Sequence, residues 1–204
     1  LKKLEGEKVV GAAVYKDTEN VLPLFAMQAA LGGVAFCASQ EKTALILTGG
    51  EISAEWLLEQ VSQIQQKAGQ FVVFDLKNVI AELPIENRAN CFDATVAAYL
   101  LNPLKSDYMY EDVAREQLGL MIDEKADGRT KACYEAYTAF AAKEPLENRL
   151  KDTKSWELFE NIEMPLVFTL YEMEQNGVKV EAEALKAYGD QLVGKITELE
   201  KDIY

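Results

Sequence analysis

The residues best placed to do chemistry are Asp17 and Glu19 in KDTEN, directly after the apolar run KVVGAAVY (8–15). Alternate side chains of a strand share a face, so two carboxylates one residue apart converge at a strand end. Hard divalent cations need several such oxygen ligands, and a pair of this kind begins a metal site for phosphodiester cleavage. The same residues also suit a solvated turn, since Asp and Asn are common turn formers, and the letters alone leave both readings open. Further acids follow at Asp75 after FVVF (71–74), at Asp93 in FDAT and at Glu135 in TKACYEAYTAF. Asp93 stands immediately before an apolar helical stretch and reads as a helix cap. The chain has no His, which excludes Ser–His–Asp triads, His general bases and His metal ligands. Cys37, Cys91 and Cys133 lie far apart without CxxC spacing, as expected of reduced, mostly buried thiols in a cytoplasmic protein.

The elements that must position these groups fall into two halves. KVVGAAVY (8–15), GVAFCA (33–38) and TALIL (43–47) read as strands, and SAEWLLEQVSQIQQK (53–67) as a helix capped by Ser53 and stopped by Gly69. FVVF is continuously apolar, as a buried central strand should be. Three strands, a helix and a buried strand predict an α/β sheet with helices packed on it. Beyond Pro84 the pattern turns helical: DATVAAYLLNP (93–103), EDVAREQLG (111–119), and, after the polar loop MIDEKADGR (121–129), TKACYEAYTAFAAKEPLENRLK (130–151). SWELFENIEMPLVFTLYEMEQNG (155–177) has helical apolar spacing, with Pro165 expected to kink or split it and Gly177 to cap it. Residues 181–204 form a last amphipathic helix with an apolar stripe through Leu185, Tyr188, Leu192 and Ile196. Tyr134 and Tyr137 read as core residues of their helix.

The 204 residues carry a formal charge of −13, with 49% hydrophobic and 27% charged residues. Such a balance disfavours whole-surface attraction to nucleic acid, because phosphate contacts need clustered Lys and Arg. The one modest basic cluster is Arg149, Lys151 and Lys154, interrupted by Asp152. No apolar run reaches the length of a membrane span. The chain lacks an initiator Met, and its last helix reaches the final residue without a cap, so a piece of a longer chain is expected.

WELFENIEMPLVFTLYEMEQNGVKV (156–180) resembles the bacterial family A DNA polymerases, the DNA polymerase I family, where the 3′–5′ exonuclease domain joins the polymerase domain. FVVFDLKNVI (71–80) and FDATVAAYLLNPLKSDY (92–108) resemble the second exonuclease block and the helix after it. The resemblance implies an RNase H-like mixed sheet flanked by helices and followed by C-terminal helices. It divides the chain into an exonuclease-like domain, 1–150, and a helical junction with the first part of the thumb, 151–204. Its implied partners are DNA, through the parent polymerase, and the remaining polymerase domains of the same chain. Mg²⁺ is implied for the parent polymerase and no cofactor for this segment.

The resemblance also implies three sources of metal ligands: a D-x-E on the first strand, an Asp after the fourth, and a Tyr-x-x-x-Asp on a later helix. Asp17-Thr18-Glu19 supplies the first. In place of N-L-K-Y-D stands Asp75-Leu76-Lys77-Asn78-Val79, so the Asp position holds a side chain without a ligand atom. At the third, Lys131 stands for the Tyr and Glu135 for the Asp. One intact element of three predicts a degenerate site, with Asp17, Glu19 and Glu135 as vestigial candidates. The competing expectations are an active proofreading exonuclease and a stand-alone nucleic-acid-binding or interaction module.

Overall fold

The computed structural model describes residues 1–17, 30–123 and 125–203. Its sheet has five strands: β1 (Val9–Lys16), β2 (Leu31–Ser39), β3 (Lys42–Leu47), β4 (Gln70–Val73) and β5 (Cys91–Asp93). The spatial order is β3-β2-β1-β4-β5. β2 runs antiparallel to β1 and β3, whereas β4 lies parallel to β1 and β5 parallel to β4. This is the mixed α/β sheet expected, with one strand more than the apolar runs announced.

Strand alternation decides what each face meets. Val10, Ala12, Val34 and Phe36 turn to one face, where Leu57, Val61 and Ile64 of α1 (Ala54–Lys67) cover them. Ala13, Tyr15, Ala35 and Cys37 turn to the other, against Ala132 and Ala136 of α5 (Gly128–Asp152). α5 rides so close to β1 that a Cβ on Gly11 would stand 2.3 Å from the Ala136 carbonyl oxygen. Any side chain at position 11 would therefore lift the helix off the sheet. Between β4 and α5 come α2 (Leu76–Glu82), a 3₁₀ turn (Arg88–Asn90), α3 (Ala94–Leu101) and α4 (Tyr110–Leu118).

Gln65 fixes the segment between α2 and β5 to α1. It is fully buried, donates to Asn87 O at 2.7 Å and Asn90 Oδ1 at 2.8 Å, and accepts from the N–H groups of Glu86 and Asn87. Asn90 returns the contact by donating to Gln65 O and Ala68 O. A polar side chain can stay this deep in the core because each of its polar atoms is paired.

The expected interruption near Pro165 takes a specific form. α6 (Trp156–Leu158) passes into a π-helix (Phe159–Glu163) before α7 (Met164–Asn176). The Met164 N–H reaches back to Phe159 O, five residues earlier, and Pro165 has no N–H to offer Asn161. By contrast, α5 runs through Pro145 unbroken. The chain divides into two compact units, Leu1–Leu170 and Tyr171–Tyr204. The second holds the end of α7 and α8 (Ala182–Ile203), on which Leu185, Tyr188, Leu192, Ile196 and Leu199 are exposed. Among the described residues no helix is long and apolar enough to cross a membrane.

Candidate functional site

Parallel pairing sends the C-terminal ends of β1, β4 and β5 to one edge of the sheet, which brings Asp17, Asp75 and Asp93 to that edge. Open α/β sheets place their chemistry at such an edge. Asp17 ends β1 and is exposed, and Glu19 lies outside the described residues. The strand before Asp17 is held by an ion pair at 2.5 Å between Lys16 and Glu82, at the far end of α2.

The remaining carboxylates of the edge are engaged in folding. Asp93, 2% exposed, caps α3 through the N–H groups of Thr95 and Val96. Its second oxygen accepts from the Leu76 N–H at 2.8 Å, so one carboxylate holds the starts of both α2 and α3. Burial pushes its pKa up to about 6 although three backbone N–H groups pull it down, and the nearby Asp75 adds to the rise. The capping role read from the sequence is thus correct for α3 and incomplete, since the tie to α2 crosses between strands. Asp75 caps α2 with a positive φ of 49°, a conformation that Asp tolerates better than most residues. Its carboxylate accepts from the Asn78 side chain at 2.5 Å.

Val79 follows one turn into α2. It is 8% exposed and packs in the main core, so this position presents a methyl-bearing wall where the resemblance calls for an oxygen. Glu135, at the third position, is half-buried on α5. Its carboxyl is pushed up to about 7, first by burial and then by the negative charges of Glu111 and Asp75. Glu111, on α4, has an oxygen buried without a hydrogen-bond partner among the described residues. The neighbouring Tyr110 hydroxyl is likewise buried with no hydrogen-bond partner among the described residues, and burial, together with the Glu111 carboxylate beside it, pushes its pKa up. Glu111 belongs to this acidic patch and was not anticipated; its only sequence signal is adjacency to Tyr110 on the inward face of a short helix.

Among the described residues no three His, Cys, Asp or Glu side chains gather so as to hold a metal ion. The negative charges of Asp75 and Glu111 both act on Glu135. A two-metal centre needs several carboxylates aimed at one point, and at the second of the three positions Val79 offers it no oxygen. Tyr134 and Tyr137 are half-buried against the core, and together with Cys133 and Thr138 they line a cavity of about 370 Å³ beside residues 120–122. Burial raises the pKa of all three thiols, up to about 12 for Cys91, so none is an activated nucleophile.

No family model matches the chain. DNA polymerase I of Caldicellulosiruptor bescii is 32% identical over 169 residues, covering 81% of this chain and 19% of that protein. DNA polymerase I of Bacillus subtilis is 34% identical over 180 residues, covering 78% and 19%. The chain thus spans about a fifth of the length of the curated relatives it matches. Among solved structures, the POL domain of Pol1 from M. smegmatis, in complex with DNA primer-template and dNTP, superposes with a TM-score of 0.74 at 18% identity. That match covers 97% of this chain and 34% of the other. NrnC of Brucella melitensis bound to pGG superposes with a TM-score of 0.63 at 14% identity, covering 88% of this chain and 93% of NrnC. The RNase H-like exonuclease fold is therefore the fold of this chain.

Proposed function

The chain belongs to the DNA polymerase I family, and from that premise we propose that its sheet domain is an exonuclease fold that has lost cleavage and serves as a structural body of the polymerase. The observation that carries the reading is Val79, buried in the core at the position where a ligand carboxylate is required. Without that oxygen, a divalent ion beside Asp17 would keep most of its water shell and be poorly positioned for in-line attack. Residues 1–150 act as the exonuclease-like domain, and residues 151–204 as the helical junction and first part of the thumb. DNA replication and repair in the cytoplasm belong to the parent enzyme, with DNA and the remaining polymerase domains of the same chain as partners. Mg²⁺ serves nucleotidyl transfer in those domains.

The test is degradation of labelled single-stranded DNA by the 204-residue chain at millimolar magnesium or manganese. No shortening is expected. Metal-dependent 3′ trimming that disappears in Asp17→Ala would overturn the reading and establish a proofreading exonuclease.

A further inference from the structure

At the opposite end of the parallel strands from Asp75 and Asp93 lies a half-open cleft of about 510 Å³. It is bounded by Gln70 at the start of β4, by Arg88 and β5 at the outer edge of the sheet, and by the helix running from Trp156 to Thr169. Its volume suits a drug- or nucleotide-sized ligand. One wall is aromatic: the half-buried Trp156 lies 5.5 Å from Phe159 with ring planes 33° from parallel, and Phe159 and Phe92, 4.9 Å apart, are buried behind it. Two cations accompany these rings. The Arg88 guanidinium lies 4.9 Å over the Phe168 ring and the Lys151 ammonium 5.1 Å over the Trp156 ring. Aromatic faces together with positive charge are what bind nucleobases and their phosphates irrespective of sequence.

Two further features point to a ligand. The Gln70 side-chain carbonyl oxygen is buried without a donor among the described residues, a cost that an N–H of a bound base would remove. The wall carrying Phe159 and Glu160 is the π-helix, a form that recurs at functional sites. Glu160, also on the wall, opposes an anion and places the phosphate on the Arg88 side.

We propose that this cleft binds a nucleotide, with its base against Trp156 and its phosphate toward Arg88. The nucleotide is either a free mononucleotide or the unpaired end of a DNA strand. The proposal does not depend on the loss of cleavage, because the cleft shares no residue with the acidic edge.

The chain has two tryptophans, Trp56 and Trp156, so Trp56→Phe leaves Trp156 as the sole indole reporter. Its fluorescence is titrated with thymidine, thymidine monophosphate, oligothymidylate and inorganic phosphate. Saturable quenching by the monophosphate is expected. Trp156→Leu, read by equilibrium dialysis of labelled monophosphate, should weaken binding about tenfold, the loss expected of one base–aromatic stack. Arg88→Gln, at an exposed residue, should weaken the monophosphate and leave thymidine unchanged, even if Trp156→Leu fails to fold. Tighter quenching by oligothymidylate than by the monophosphate assigns a strand end, and equal or weaker quenching assigns a mononucleotide. Absence of saturable quenching by any nucleotide would overturn the proposal. So would quenching by phosphate alone, or unchanged monophosphate binding in Arg88→Gln.

Discussion

Val79→Asp restores the missing carboxylate in name, and the structure gives the cost. Val79 is 8% exposed and packs in the main core. Removing its apolar burial costs about 1.5–3 kcal/mol. Leaving a charge buried there without a partner costs about a further 3 kcal/mol. Asp75 and Glu135, both acidic, offer the new group no cation, so its pKa must rise above that of an ordinary Asp. The penalty therefore depends on pH: about 1.5–3 kcal/mol near pH 5, where the new carboxyl is protonated, and about 4.5–6 kcal/mol near pH 8. With a urea slope of about 2–3 kcal/mol/M, the midpoint near pH 8 falls by about 2 M. The assay is equilibrium urea unfolding at both pH values, with and without millimolar magnesium, beside the DNA degradation assay. A variant as stable near pH 8 as near pH 5 would refute the burial argument. A midpoint raised by magnesium, together with the appearance of 3′ trimming, would refute the claim that the third element is also inadequate.

Asp93→Ala removes the cap of α3 and the acceptor for the Leu76 N–H, and should cost about 2–4 kcal/mol in urea unfolding. Glu135 has its pKa raised from 4.5 to about 7, so the folded chain binds more protons than the unfolded one between those values. Stability is then fully present below about pH 4.5 and declines as pH rises to about 7, and Glu135→Gln should flatten this slope and raise the midpoint near pH 8. The exposed apolar stripe of α8 predicts that residues 182–203 exchange their amide hydrogens faster than α5, as read by hydrogen exchange with mass spectrometry. Uniformly slow exchange through α8 in a monomeric sample would contradict this.

The strands of the first half were legible as short continuous apolar runs, because helices cover both faces of the sheet, and α1 and α5 because each buries one periodic face. Val10 to Ala13 are all buried, so the letters of β1 carry no alternation. β5 and α2 were not legible. β5 is three residues long and is a strand only because β4 lies beside it. α2, seven residues with Asp75 at its cap, is too short to show a period. At the site, the absence of a ligand atom at Val79 could be read directly, since a hydrocarbon cannot ligate in any fold. The effect of Asp75 and Glu111 on Glu135 could not, because it arises only when the fold brings residues far apart in the chain together. The pairing of Arg88 with Phe168 and Lys151 with Trp156 was hidden for the same reason. Packing brings Lys105 onto Tyr108 and Arg129 onto Tyr15 in the same way.

The π-helix between Phe159 and Glu163 bears on how chain length can vary here. In an α-helix each residue advances the phase by about 100°, so one surplus residue would turn everything downstream away from its seat. The wider turn absorbs that surplus: Phe159 at its start and Met164, Val167 and Phe168 after it are all buried. A chain one residue shorter in this segment would form an unbroken α-helix and keep the same three side chains inside. A one-residue insertion in the α-helical part that follows has no such outlet and would rotate the downstream apolar face toward solvent. Length is thus negotiable within five residues and fixed on the stretch just after them.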